Sequence, residues 1–501
     1  MRIIIKHIIT FVITLLAVSV CGGVMTPYDQ MPGEYYRHCY DSGNEETYED
    51  VQTEEYPESF DLRSFGIVSD VRNQGETSTC WAISAMESLE TQINKASQNR
   101  NVLLSPWHLA YFTYTEEQLS DPSEGSQFNC GGFSSNTIST LSKWQGPVYE
   151  STVPFGSEKI VDEQLRHNHD YCVQNAYNVH QYVRNNIYYS QEEIKKLVYD
   201  KNAVSVYYYA NNEYYNEDTA AHYCPEKTVP THAVLIVGWD DNYSMDKFIT
   251  KPSQKGAWLI KDSYGTEKGK DGYIWISYDD ASLCEAACYF AENKDIYDNN
   301  YYYDDYGWIA SISTDAMQSS LTGYMSNIFT ANSQENISAV SFYTSEPGTA
   351  YDIKIYKNIT DENNPVSGKP AGYYSGTQEY MGYHTVDLEN KIPVEAGEKF
   401  SVVVKIVNRT SPYTVPVEAG VMYTRSGNYY IENRLSNQPE LQSKRSFISN
   451  NGSLWRKISG ESYRYFKSRY TYFGMNDDTD EIQEMELGAV CIKAFTENQQ
   501  G

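Results

Sequence analysis

The stretch Gly66-Ile-Val-Ser-Asp-Val-Arg-Asn-Gln74-Gly75-Glu-Thr-Ser-Thr-Cys80-Trp81-Ala82-Ile-Ser-Ala-Met86-Glu-Ser-Leu89 runs from a Gly-containing loop into an amphipathic helix. Apolar residues at Ala82, Ala85, Met86, Leu89 and Ile93 fall at helical spacing, which puts Cys80 at the helix N-terminus with Ser78 and Thr79 as cap candidates. At that position the positive end of the helix dipole favours a thiolate and lowers the thiol pKa. Free backbone N–H groups there can also hold a developing oxyanion. Gln74, six residues earlier, offers a second donor from its amide. Taken alone, a Cys before a Trp on such a helix is more often a buried structural thiol.

The rest of the chain reverses that reading. A thiolate nucleophile needs a base, and Thr231-His232-Ala-Val-Leu-Ile-Val-Gly238-Trp239 sets a His at the mouth of a continuous apolar strand, 152 residues after Cys80. A third segment, Gly256-Ala-Trp258-Leu-Ile-Lys-Asp262-Ser-Tyr264-Gly265, offers Asp262 as an orienting side chain beside a strand end.

Together these segments resemble a papain-like cysteine peptidase. They are similar to that family's Gln-containing entry, its Cys-Trp helix, its His-Ala-Val strand and its Asn-Ser-Trp-Gly loop. Leu104-Ser105, Asn129-Cys130-Gly131-Gly132, Gly146-Pro-Val-Tyr149 and Gly272-Tyr-Ile-Trp-Ile276 extend the match, in order, from about Tyr56 to Phe290. The resemblance implies an α+β, two-lobed catalytic domain, a helical lobe carrying Cys80 and a β-barrel-like lobe carrying His232. It further implies Cys80 as nucleophile, His232 as general base, Asp262 as third member, and Gln74 with the Cys80 N–H as oxyanion hole. Gly131, Gly132 and Tyr264 are the implied substrate-binding positions. Two departures share one loop: Asp262 stands where the family carries Asn, and Tyr264 where it carries Trp. The carboxylate accepts a hydrogen bond as the amide does, and its charge favours imidazolium. Cys224 with Cys284 resembles a family disulfide, and Cys130 with Cys172 is a second candidate pair. The usual partner position near the nucleophile holds Thr77. No cofactor is implied.

Outside this block, the N-terminus reads as an export signal over 1–22: Arg2 and Lys6 precede an apolar run from Ile8 to Val20. Two alternatives stay open at its end, lipidation of Cys21 or ordinary cleavage near Cys21 to Gly23, and Val20 counts against the first. No second apolar run is long enough to span a membrane. Residues 23–55 form an acidic spacer or short propeptide. From Val24 to Glu58 ten acidic residues face Arg37 alone, too much like charge and too few aliphatics to build a core. Cys39 within it is a candidate inhibitory thiol.

Overall, 501 residues carry 39 Lys+Arg against 67 Asp+Glu, a net charge of −28. That balance, with no Lys/Arg-rich stripe, argues against a nucleic-acid partner. The 9 Cys are scattered without zinc spacing, so no metal is expected. Tyr dominates the aromatics, 47 against 16 Phe and 8 Trp, which suits an extracellular surface facing polar polymers.

The peptidase-like domain is assigned to 56–295 and an Asp/Asn/Tyr-rich linker to 296–306. Over 307–498, short runs with period-2 alternation predict an all-β sandwich: Ile337–Tyr343, Tyr351–Tyr356, His384–Leu388, Lys399–Ile406, Gly420–Tyr423 and Val490–Phe495. This half resembles the lectin-like domain that follows the peptidase in some bacterial surface peptidases, so glycan or cell-wall binding enters by analogy. The expected function is a secreted or surface-attached cysteine endopeptidase acting on protein or peptide substrates. The alternative is an inert papain-like protein acting as a glycan- or protein-binding adhesin. Peptidoglycan amide hydrolases with a Cys/His centre rank behind both.

Overall fold

The computed structural model describes residues 56–97, 101–114, 125–157, 159–179, 188–200, 202–420, 444–468 and 485–499. The expected export segment at 1–22 with Cys21, and the acidic spacer at 23–55 with Cys39, lie outside the described residues.

The chain enters through a short strand, β1 (Ser59–Asp61), and the helical lobe follows: α1 (Cys80–Ala96), α2 (Pro106–Thr113) and α3 (Ser134–Leu141). The apolar stripe read from the sequence is the inner face of this lobe. Trp81, Met86, Leu89 and Ile93 pack with Trp107 and Leu109 of α2 and with Ile138 and Leu141 of α3. Each such side chain contributes about 1.5–3 kcal/mol by leaving water. The opposite face of α1 is buried too, because it lies against the second lobe. There small polar residues replace large apolar ones: Ser84 Oγ meets Ser205 Oγ at 2.8 Å, and Ser88 Oγ donates to the Ala203 carbonyl at 2.7 Å. Such contacts let the helix approach the strands closely while satisfying buried hydroxyls.

The second lobe is built from β2 (Tyr171–Val179), α4 (Tyr188–Tyr199), β3 (Val204–Tyr208), β4 (His232–Asp240), β5 (Ala257–Lys261), β6 (Tyr273–Ser277) and β7 (Cys284–Asn293). Apolar on both faces, β4 is central, pairing with β3, β5 and β1. At Gly238 a Cβ would lie 2.2 Å from the Phe60 carbonyl, so only glycine lets β1 cross there.

The C-terminal half is all β. A six-stranded sheet centred on Thr349–Lys357, Lys399–Val407 and Thr322–Thr330 packs on the strands Glu335–Thr344 and Met381–Val394, where the Tyr351 ring meets Phe342 and the Tyr374 hydroxyl donates to the Asn390 carbonyl, and a five-stranded sheet that includes Val415–Gly420 and Met485–Val490 joins the same core. Ile353, Ile355, Val402 and Val404 share this core with Ile337, Phe342 and Ile392 on one side and with Val417 and Leu487 on the other strands. Five of the six expected runs coincide with strands. Around Gly420 the strand lies earlier, at Val415–Gly420, and Val421 to Tyr423 fall outside the described residues.

The join between the halves differs from a simple linker. Within 296–306, Asn299–Tyr301 is a strand paired with the C-terminal strand Ile492–Asn498. Moreover, Met381, Gly382 and Tyr383 of the strand Met381–Val394 pair with Asn178, Tyr177 and Ala176 on the free edge of β2. A single 13-stranded sheet therefore runs through both halves. The helical-lobe core also continues across the boundary, taking in Trp308, Tyr343, Met381 and Tyr383. Lys143 Nζ donates to the Asp305 carbonyl at 2.7 Å, and Asn300 donates to the Ser142 carbonyl at 2.9 Å.

Candidate active site

Cys80 is the first residue of α1, on the seam between the lobes. Thr79 occupies the N-cap position, but its side chain makes no cap bond; its hydroxyl pairs with that of Thr77 at 2.8 Å. The Ala82 and Ile83 N–H groups turn to the Thr79 carbonyl, and the Trp81 N–H is directed at the Cys80 sulfur, so the positive end of the helix favours negative charge on that atom.

His232 opens β4, its backbone in register with Tyr208, and its ring is buried between the lobes. Nε2 meets Asp262 Oδ1 at 3.0 Å, and the imidazole also hydrogen-bonds the Cys80 thiol, which leaves Nδ1 to face the sulfur. Burial alone would push the Cys80 thiol up. The hydrogen bond and charge of His232, helped by the Ala233 and Trp81 amides, outweigh it and hold the thiol below its usual value. Burial likewise disfavours a charged His232, yet Asp262 and Cys80 together raise it to about 10. For Asp262, burial is again the largest effect and is overcome by His232 and the Ser263 N–H, so the carboxyl sits below its ordinary range. All three shifts favour one state, thiolate beside imidazolium beside carboxylate.

Ser263 is the residue that sequence reading missed. Its N–H donates to Asp262 Oδ1 at 2.6 Å and its hydroxyl to Gln74 Oε1 at 2.6 Å, so one residue holds both Asp262 and Gln74 in place. The only signal was its place between Asp262 and Tyr264. Gln74 is buried, with Nε2 donating to the Thr77 carbonyl at 2.6 Å. One of its two amide hydrogens is thereby fixed and the other is left for a ligand oxygen. Tyr264, expected at a substrate-binding position, stacks on His232 with ring centroids 4.8 Å apart and covers the imidazole.

A second missed group locks the lobes together behind the site. Lys261, adjacent to Asp262, pairs with Glu87 of α1 at 2.8 Å; Arg72 of the entry loop reaches Glu90 at 2.7 Å and Glu87 at 3.4 Å. Burial raises the Glu87 carboxyl despite the Lys261 and Arg72 charges. The sequence signal was two carboxylates, Glu87 and Glu90, on a helix buried all round.

The glycine pair divides its labour. Gly131 takes a left-handed φ of 71° with open space where a Cβ would go, and its carbonyl accepts from the Tyr114 hydroxyl. At Gly132 a Cβ would lie 2.5 Å from the Trp81 indole, so the missing side chain is demanded by packing.

The disulfide expectations require correction, because Cys130, Cys172, Cys224 and Cys284 are all free thiols. Cys130 points at the Ser126 carbonyl and Cys172 at the Lys294 carbonyl, in different parts of the fold. Cys224 donates to the Glu226 carbonyl at 3.3 Å, turned into its own loop, while Cys284 is buried against the helical-lobe core. Among the described residues no group of side chains is arranged to hold a metal ion.

Residues 56–293 match the family model "Papain family cysteine protease", and residues 300–496 match "Lectin like domain". This is a papain-family peptidase domain with a lectin-like domain behind it. The peptidase domain is 28% identical to bovine cathepsin S over 246 residues, covering 48% of this chain and 66% of that protein. It is also 28% identical to a cathepsin L-like proteinase of Fasciola hepatica, covering 46% and 63%. The chain thus spans less than two thirds of those relatives' length. The fold extends further in two solved structures of Cwp84. The clostridial cysteine protease after propeptide cleavage has a TM-score of 0.66 at 23% identity, covering 88% of this chain and 99% of that one. The cysteine protease and lectin-like domains of the surface layer associated protein of Clostridium difficile have a TM-score of 0.64 at 24% identity, covering 89% and 90%. Among the described residues no helix is long and apolar enough to cross a membrane.

Proposed function

We propose that this chain is an exported cysteine endopeptidase that hydrolyses protein or peptide substrates while its lectin-like domain docks it on a surface. The observation that carries the peptidase reading is His232 hydrogen-bonded on one side to Cys80 and on the other to Asp262. In this mechanism the Cys80 thiolate attacks the scissile carbonyl. The oxyanion forms against the Cys80 N–H and the second hydrogen of Gln74 Nε2, and His232 delivers its proton to the departing amine. Water then enters, gives a proton back to His232, and its oxygen displaces Cys80 from the acyl-enzyme to release the carboxylic acid. Asp262 stays ionised throughout and holds the imidazole.

Export rests on the sequence of 1–22, and surface docking on the lectin-like domain together with the described surface-layer association of Cwp84. The inert alternative has its sequence support in Asp262 and Tyr264; the His232–Asp262 hydrogen bond and the stacking of Tyr264 on His232 support the active reading instead. Alkylation by an epoxide selective for papain-type thiolates, compared between the native chain and Cys80→Ala, tests the reading. Labelling that survives the substitution, or is absent from the native chain, would overturn it.

A further inference from the structure

Tyr208 ends β3 and pairs directly with His232 on β4, so the two side chains stand on one face of the sheet. Their rings meet with centroids 5.9 Å apart and planes inclined at 59°. The same tyrosine meets a second histidine, His222, with centroids 4.9 Å apart and planes inclined at 80°. His222 comes from the short strand Ala221–His222, which pairs with Tyr215–Asn216 and runs parallel to β6. Its Nδ1 meets Asp280 Oδ2 at 3.0 Å. Two buried His–Asp pairs, His232 with Asp262 and His222 with Asp280, therefore share one buried tyrosine ring, and residues from five separate segments of the chain build the arrangement.

A histidine ring turns easily about its Cβ–Cγ bond, because that torsion has only a broad preference, so its plane is set by what it touches. In the resting site His232 is held by Cys80 on one side and Asp262 on the other. Once Cys80 is acylated and the imidazole has given up its proton, the thiolate contact is gone, and the bond to Asp262 and the neighbouring rings must keep the plane until water is activated. Of those rings Tyr264 is 43% exposed, whereas Tyr208 is only 3% exposed and is braced from behind the sheet end. The brace is itself tied down: Asp280 accepts from the Cys224 N–H at 2.8 Å and from the Ser282 N–H at 3.0 Å as well as from His222. Burial, with Asp262 and Asp280 nearby, holds the Tyr208 phenol well above its ordinary value, so the ring stays neutral between the two pairs.

We propose that Tyr208, braced by the His222–Asp280 pair, is a positioning residue that keeps the His232 imidazole in its reactive plane through the catalytic cycle. The proposal rests on the peptidase reading and deepens it, by naming what holds the general base when its thiolate partner is consumed. Tyr208 and His222 act through His232 and touch no reacting atom.

The test compares the full chain with Tyr208→Leu, Tyr208→Phe and His222→Leu, reading kcat and KM on a fluorogenic peptide and the pH dependence of Cys80 alkylation by iodoacetamide. Tyr208→Leu should lower kcat about tenfold to a hundredfold with KM within about twofold of native, since a small misplacement of the base is costly while the binding surface is kept. Tyr208→Phe keeps the ring and should recover most of that loss, and His222→Leu should lower kcat in the same sense by a smaller factor. In Tyr208→Leu the acid limb of alkylation should also move to higher pH, because a loosened His232 stabilises the thiolate less. Lower stability alone would reduce the alkylated amount and leave the limb where it is. A folded Tyr208→Leu with native kcat and a native limb, a loss carried by KM, or a Tyr208→Phe as impaired as Tyr208→Leu would each overturn the proposal. If circular dichroism shows that Tyr208→Leu does not fold, His222→Leu decides, and a native kcat there overturns it. A native chain that iodoacetamide leaves unlabelled at Cys80 would instead overturn the peptidase reading itself.

Discussion

Replacing Asp262 by Asn restores the residue type of the resembled family while keeping an acceptor for His232 Nε2, so it isolates the contribution of charge. His232 is held at about 10, and Asp262 lies 3.0 Å away with its second oxygen, Oδ2, buried and without a hydrogen-bond partner. For charges centred about 4 Å apart at an effective dielectric of about 20, Coulomb's law gives about 4 kcal/mol. At 1.36 kcal/mol per unit that is about 3 pKa units as an upper bound, and shifts from a neighbouring opposite charge usually fall at about 1–3. The sign is fixed by which form Asp262 favours. Its carboxylate stabilises imidazolium, so removing the charge lowers the pKa of His232, and the thiolate–imidazolium pair is lost at lower pH. The alkaline limb of kcat/KM should therefore move down by about 1–3 units, while the acid limb, governed by Cys80 one group further away, moves less. The assay is kcat/KM for a fluorogenic peptide from about pH 4 to about pH 11. An alkaline limb that stays within about 0.3 units of native, moves upward, or belongs to a variant with no activity would refute the argument, since each would mean that the carboxylate acts otherwise than by charge.

With Gln74 in the proposed oxyanion role, Gln74→Ala should lower kcat by about 10²–10³ with KM nearly unchanged, measured by steady-state hydrolysis. Lys261→Met leaves Glu87 buried with a weakened set of cations, and urea unfolding should show a loss of about 3–5 kcal/mol; adding Glu87→Gln should recover part of it. Gly132→Ala drives a Cβ into the Trp81 indole, so thermal or urea unfolding should show a cost of about 1–3 kcal/mol. Because Cys130, Cys172, Cys224 and Cys284 are unpaired, the melting temperature should be the same with and without reductant, whereas loss of a bridge worth about 2–4 kcal/mol would lower it by several degrees.

What the sequence discloses about the site is the part written in local patterns. Cys80 is legible because an amphipathic helix announces its own N-terminus, and His232 because a continuous apolar run marks a buried strand with a polar residue at its mouth. Gln74, Asp262 and Tyr264 follow from their neighbours. Ser263 is harder to see, because its work consists of two bonds to residues 189 positions and one position away, and only the fold brings the first within reach. The Lys261–Glu87–Arg72–Glu90 cluster is hidden for the same reason. Each charge looks solvent-facing until α1 is seen to be enclosed by both lobes. The disulfide expectations failed where resemblance supplied a pairing and local side-chain direction did not, since Cys224 turns into its own loop.

The domain boundary was drawn from composition, and composition is blind to strand pairing. A stretch rich in Asp, Asn and Tyr reads as a linker, yet Asn299–Tyr301 pairs into the sheet and Tyr301 donates to the buried Glu335 carboxylate at 2.8 Å. The consequence is mechanical. β7 packs on the helix that carries Cys80, β2 pairs with β7, and the lectin-like strand Met381–Val394 pairs with β2, so an unbroken series of packed and hydrogen-bonded elements links the C-terminal half to α1. An edge strand such as β2 would otherwise expose unpaired N–H and C=O groups beside apolar residues, the arrangement that promotes aggregation. Covering it with the second domain removes that hazard and fixes the orientation of the lectin-like domain relative to the seam that holds Cys80 and His232. The peptidase cleft and the lectin-like domain therefore keep one mutual direction, set by hydrogen-bonded register, where a flexible tether would leave that direction free.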